Sequence, residues 1–81
     1  MSNTGIYIRK AREKKGYSQE YMADKLDINQ ATYARLENEE TQITLDRLYK
    51  ISEILEVNIL DLLDNEKNLI QTQNNNEGAY I

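Results

Sequence analysis

The feature that most constrains this chain is its punctuation. Gly16 and the capping residues Ser18, Asn29, Thr44 and Asn58 recur so closely that no helical segment between them exceeds about a dozen residues. Isolated helices shorter than about 12 to 15 residues are marginal in water. Each segment must therefore be held by its neighbours, which makes the chain one small all-α unit. There is no proline, and no alternating strand pattern competes before residue 64.

The segments can be read in turn. Asn3 or Thr4 caps a first helix in which Ile8, Ala11 and Arg12 share a face. Gly16 ends it as a left-handed C-cap. Lys14 and Lys15 lie favourably at the negative end of the helix dipole, and Tyr17 is placed for the apolar contact that often follows. Ser18 caps a second helix, Gln19 to Leu26, with Met22, Ala23 and Leu26 inward. After a turn at Asp27 and Ile28, Asn29 caps a third helix from Gln30 to Glu37. Its inward face is Tyr33 and Leu36, extended by Ala34, with the Tyr33 hydroxyl reaching the rim. Thr44 caps the fourth, Leu45 to Leu55, whose stripe is Leu45, Leu48, Ser52 and Leu55, widened by Ile51. Asn58 caps a fifth short helix, Ile59 to Leu63, with Asp61 in its first turn.

Composition sets the domain count and removes whole classes of chemistry. Eighty-one residues cannot fill two independent cores, so residues 1–63 are read as one domain. Residues 64–81 form an Asn/Gln-rich tail, expected to be flexible. There is no cysteine and no histidine, which excludes disulfides, thiolate zinc sites and imidazole bases; no catalytic site, metal site or cofactor is expected. Asp61, Asp64 and Glu66 lack the spacing of a calcium loop, and Ser18 and Ser52 have no activating base. With no apolar run near the roughly 20 residues that span a bilayer, the expected location is the cytoplasm, without membrane association.

The net charge of −4 hides an asymmetry. Residues 1–38 hold seven Lys/Arg against five acids, a net +2, and residues 39–81 hold three against nine, a net −6. Exposed charges more than about 8 Å from a ligand are largely screened at physiological salt. The global sign therefore does not exclude a polyanionic partner.

Two short helices joined by about three residues, with a longer helix on each side, form the helix-turn-helix pattern. From Ile8 to Leu63 the sequence resembles the Cro/C1-type helix-turn-helix (XRE) family of lambdoid phage repressors and bacterial regulators. The resemblance rests on Arg12, Ser18-Gln19-Glu20, Met22-Ala23, Leu26, Ile28-Asn29-Gln30, Tyr33, Arg35-Leu36-Glu37-Asn38, Thr44-Leu45, Leu48 and Leu55-Glu56-Val57. It implies a five-helix, lambda-repressor-like fold, with the helix-turn-helix at helices two and three, that binds double-stranded DNA as a homodimer on a pseudo-palindrome.

It also implies roles for individual residues. Ser18, Gln19, Asn29, Gln30, Ala31, Thr32, Arg35 and Asn38 face DNA, with Lys14 and Lys15 as added phosphate contacts. Gln19 holds a phosphate at the start of its helix. On the third helix Gln30 suits adenine, Arg35 suits guanine, and Ala31 or the Thr32 methyl suits thymine. Arg12 and Glu37 form a partly buried structural salt bridge. The chain departs from the family where Glu39-Glu40 replace a glycine and a basic residue: two acids there repel phosphate, and a left-handed C-cap is costlier unless Asn38 takes that conformation. Asp27 replaces another common glycine. Phosphate grip then shifts to Arg9, Lys10, Lys14, Lys15 and Lys25.

Val57, Leu60, Leu62 and the Leu69-Ile70 pair are candidate dimer contacts. Two other functions keep the fold. One is an antitoxin-like autoregulator whose 64–81 tail binds a toxin protein; the other is an acidic protein-interaction domain that has lost DNA binding.

Overall fold

The computed structural model describes residues 3–63. Four α-helices follow one another: α1 (Thr4–Lys15), α2 (Gln19–Leu26), α3 (Gln30–Glu37) and α4 (Leu45–Leu55), closed by a 3₁₀ turn at Ile59–Leu62. There is no strand among the described residues. The tail at 64–81, with Leu69-Ile70, Asp64 and Glu66, lies outside them.

Helix starts follow from side-chain oxygens that accept otherwise orphaned backbone N–H groups. Ser18 Oγ accepts from Tyr21 N at 2.9 Å, Asn29 Oδ1 from Thr32 N at 2.8 Å, Thr44 Oγ1 from Arg47 N at 3.1 Å and Asn58 Oδ1 from Leu60 N at 2.9 Å. The first helix is different. Asn3 precedes α1 without a side-chain cap bond, and Thr4 is already helical. The Gly5 N–H instead donates to Glu39 Oε2 at 2.8 Å, 34 residues along the chain.

All four helices end in the same device. A left-handed residue closes each helix, and two reverse bonds satisfy the last carbonyls. In α1, Gly16 (φ 78°) donates to Glu13 O and Tyr17 to Arg12 O. Asp27 (φ 60°), Glu39 (φ 56°) and Glu56 (φ 58°) do the same after α2, α3 and α4. Asn38 keeps right-handed geometry (φ −84°), so the left-handed turn falls to Glu39 instead. The 6→1 bond from Glu40 N to Arg35 O at 2.9 Å sets that register. A glutamate in this region carries strain on the order of 1 to 2 kcal/mol, which the long-range partner of Glu39 helps offset.

Ile8, Met22, Ala23, Tyr33, Leu36, Leu48, Ile51, Leu55 and Leu62 form the buried core. One expectation on α4 needs correction: Leu45 is 64% exposed, whereas Ile51, read as widening the stripe, is fully buried. The inward arc is Leu48, Ile51, Ser52 and Leu55, and Leu45 starts the helix outside it. The expected fifth helix, Ile59 to Leu63, is one 3₁₀ turn with i→i+3 bonds from Asp61 N to Asn58 O and Leu63 N to Leu60 O. Leu63 is already extended, so no i→i+4 ladder can form. Leu62 plugs the core at 1% exposure, and Leu60 is left outside at 56%; of the two, Leu60 alone is available to a partner.

Candidate nucleic-acid interface

α2 and α3 pack against each other across the turn Asp27–Asn29. The burial of Tyr33, Leu36 and Glu37 turns the opposite side of α3 to solvent. Gln30, Ala31 and Arg35 are exposed there, and Thr32 is half-buried. No side-chain hydrogen bond or ion pair among the described residues engages Gln30 or Arg35. Asn29 and Ser18 are also exposed, but each spends its side-chain oxygen on a helix cap. Thr32 shares a recess with Leu36, Thr41, Gln42, Thr44 and Arg47.

Behind this face lies a buried polar hub. Glu37 Oε2 accepts from Arg12 Nε and from the Tyr33 hydroxyl, both at 2.6 Å. Its Oε1 accepts from Arg12 Nη2 and Gln19 Nε2, both at 3.2 Å. Arg12 Nη1 donates to Tyr17 O at 2.9 Å. One carboxylate thus ties α1, α2 and α3 together. Burial pushes the Glu37 carboxyl up, but the bonds from Arg12, Tyr33 and Gln19 outweigh that and hold it below the usual range. The hydrogen bond to Glu37 raises Arg12 further. Burial, reinforced by Glu37, raises the Tyr33 phenol. The Tyr33 hydroxyl, expected at the rim, is fully buried on Glu37; the acceptor waiting one helical turn away at i+4 explains why it need not reach water.

Gly5 was not legible as a site residue. It is buried where α1 meets the end of α3, and a Cβ there would fall on the Glu37 carbonyl oxygen and crowd Glu39 Cγ. That close approach brings the Gly5 N–H to the Glu39 carboxylate. Glu39 is therefore engaged at the start of α1, where an acid is electrostatically favoured, though both Glu39 and Glu40 are exposed.

The basic residues divide by partner. Lys15 Nζ lies 2.6 Å from Glu56 Oε1, and with Lys14 it lines a recess against Ala11, Leu55, Glu56 and Val57. The hydrogen bond from Lys15 lowers the Glu56 carboxyl. Lys25 lies over the Tyr21 ring at 5.5 Å, and that ring packs 4.3 Å from Tyr17. Arg9 reaches towards Asn38 Oδ1 at 3.5 Å and Glu37 Oε1 at 3.8 Å, at the end of α3. Lys10, Lys14, Arg35 and Arg47 have no acid within ion-pair distance among the described residues.

No helix among the described residues is long and apolar enough to cross a membrane. Neither a curated protein nor a solved structure matches the chain. Residues 8–62 match the family model described as helix-turn-helix, a stretch that runs from the first core residue of α1 to the last of the 3₁₀ turn. The chain belongs to the Cro/C1-type helix-turn-helix family.

Proposed function

We propose that this DNA-binding regulator is a cytoplasmic repressor that acts as a homodimer on a pseudo-palindromic operator. The observation that carries the reading is the exposed face of α3. Gln30, Ala31 and Arg35 are open to solvent and the amide and guanidinium have no partner in the described fold, while the helix's other charged residue, Glu37, is buried. Such side chains read base edges in the major groove, with each good bidentate pair worth about 1 to 3 kcal/mol of discrimination. Gln19, Lys10, Lys14 and Arg9 are the proposed contacts to phosphate. Lys15 contributes less, because Glu56 already neutralises it.

One recognition helix covers about half a site, so two copies with half-sites about 34 Å apart are required. Exposed Leu60, beside half-buried Val57, is the proposed centre of the isologous contact. Bound across a promoter, a chain of this size represses by excluding polymerase.

Fluorescence anisotropy with a selected palindrome and with random duplex, over a salt series, tests the reading. Tighter binding to the palindrome, with log K falling linearly as log salt rises, supports it. Absence of binding at low salt refutes it and favours the protein-interaction alternative.

A further inference from the structure

Resting on the DNA-binding reading above, we propose that Glu37 is a positioning residue for the DNA backbone contact. It fixes the Gln19 amide so that one N–H of that amide stays available to a phosphate, and the Tyr33 hydroxyl holds the carboxylate in the orientation this requires.

The geometry leaves little choice. An ionised carboxylate only accepts hydrogen bonds, so the Gln19 group 3.2 Å from Glu37 Oε1 is the amide nitrogen. Flipping the amide would set its oxygen against a buried carboxylate oxygen. The amide nitrogen has two N–H groups. One is spent on Glu37, and the other has no partner among the described residues. Gln19 opens α2 and is half-buried, so this second N–H belongs to a group with one side in the hub and one side in solvent. A freely rotating glutamine would have to be ordered by the anion itself before its N–H could donate. Held by Glu37, it donates, and the ordering cost is met before DNA arrives.

Tyr33 completes the arrangement. Its ring is fully buried, and Glu37 is the one acceptor its hydroxyl reaches in the described fold. With Arg12 Nε and the Tyr33 hydroxyl both on Oε2, Oε1 is left to Arg12 Nη2 and Gln19. Removing the hydroxyl leaves Arg12 as the main clamp on the carboxylate and loosens the amide it orients.

The test uses the full chain with Gln19→Ala, Tyr33→Phe and the double variant, each first shown to be folded at the assay temperature. Affinity is read by anisotropy on the selected palindrome and on random duplex. Losing one charge-assisted contact to phosphate should weaken binding of Gln19→Ala to both duplexes alike, by about tenfold or more. Tyr33→Phe should cost about two- to threefold, the low end for a neutral hydrogen bond, and the double variant should bind no worse than Gln19→Ala alone. In free protein, the two Gln19 side-chain amide protons should be well separated by NMR and draw together in Tyr33→Phe. An equal Tyr33→Phe loss in the Gln19→Ala background overturns the proposal, as do Gln19 amide protons that do not respond to Tyr33→Phe. If wild type binds and Gln19→Ala binds equally well, the proposal alone fails; if wild type binds no duplex, the DNA-binding reading fails with it.

Discussion

Replacing Glu37 by alanine tests how the three-helix hub is held together. The substitution removes the acceptor of four hydrogen bonds and strands Arg12, whose side chain is 11% exposed. Leaving a buried charge without its partner costs about 3 to 5 kcal/mol, and an unsatisfied buried Tyr33 hydroxyl adds about 1 to 3 kcal/mol. At roughly 0.05 to 0.15 kcal/mol per residue, a domain of about sixty residues has only about 3 to 9 kcal/mol in total. Glu37→Ala is therefore expected to be unfolded or barely folded at 25 °C. Thermal and urea unfolding followed by circular dichroism give the answer, since each kcal/mol moves Tm by about 4 to 8 °C in a domain this small. The double variant Arg12→Leu/Glu37→Leu should recover part of the loss, because no charge is then stranded. A Glu37→Ala melt within about 5 °C of wild type, or a double variant no better than the single, would refute the hub as described.

Three further outcomes follow from the same geometry. Because folding holds the Glu37 carboxyl below its ordinary value of 4.5, its contribution is complete above that value and is lost as pH falls through the depressed one. Urea midpoints should drop on acidification below about pH 4.5, more steeply in wild type than in Glu37→Gln. Gly5→Ala should lower stability by about 1 to 3 kcal/mol through overpacking, since its Cβ meets backbone at the Glu37 carbonyl; an unchanged melt would show that α1 does not approach α3 so closely. Glu39→Gly relieves left-handed strain but removes the cap on Gly5 N, two effects of about 1 kcal/mol that oppose each other. Its Tm should stay close to wild type while its DNA affinity at low salt rises; Glu39→Ala, which keeps the strain and loses the cap, should melt lower.

Much of the fold was legible because its signals are local. Ser18, Asn29, Thr44 and Asn58 cap backbone groups only two or three residues away, and Gly16 supplies its left-handed turn unaided. What sequence could not reveal depends on distant partners. Glu39 and Glu56 take a conformation that disfavours glutamate, and their side chains meet Gly5 and Lys15, 34 and 41 residues away in sequence. The burial of Gly5 and of the Tyr33 hydroxyl depends in the same way on where α1 and α3 meet. Leu45 fits the apolar stripe by its spacing to Leu48, but the helix start lifts it clear of the core. At the candidate interface, periodicity alone turns Gln30, Ala31 and Arg35 outward. Their assignment to a groove comes from family resemblance, and the Arg12 and Glu37 pairing likewise could not be read from spacing.

Base preference in an Arg35→Ala variant is the most direct test of the central claim that α3 reads DNA sequence. Selection from a random duplex library with wild type and variant, compared with a Lys14→Ala control, separates reading from gripping. Arg35→Ala should lose preference at one base position per half-site, at a cost of about 1 to 3 kcal/mol there, whereas Lys14→Ala should weaken all sequences alike and flatten the salt slope by about one. Equal losses from both changes on every sequence would contradict the account.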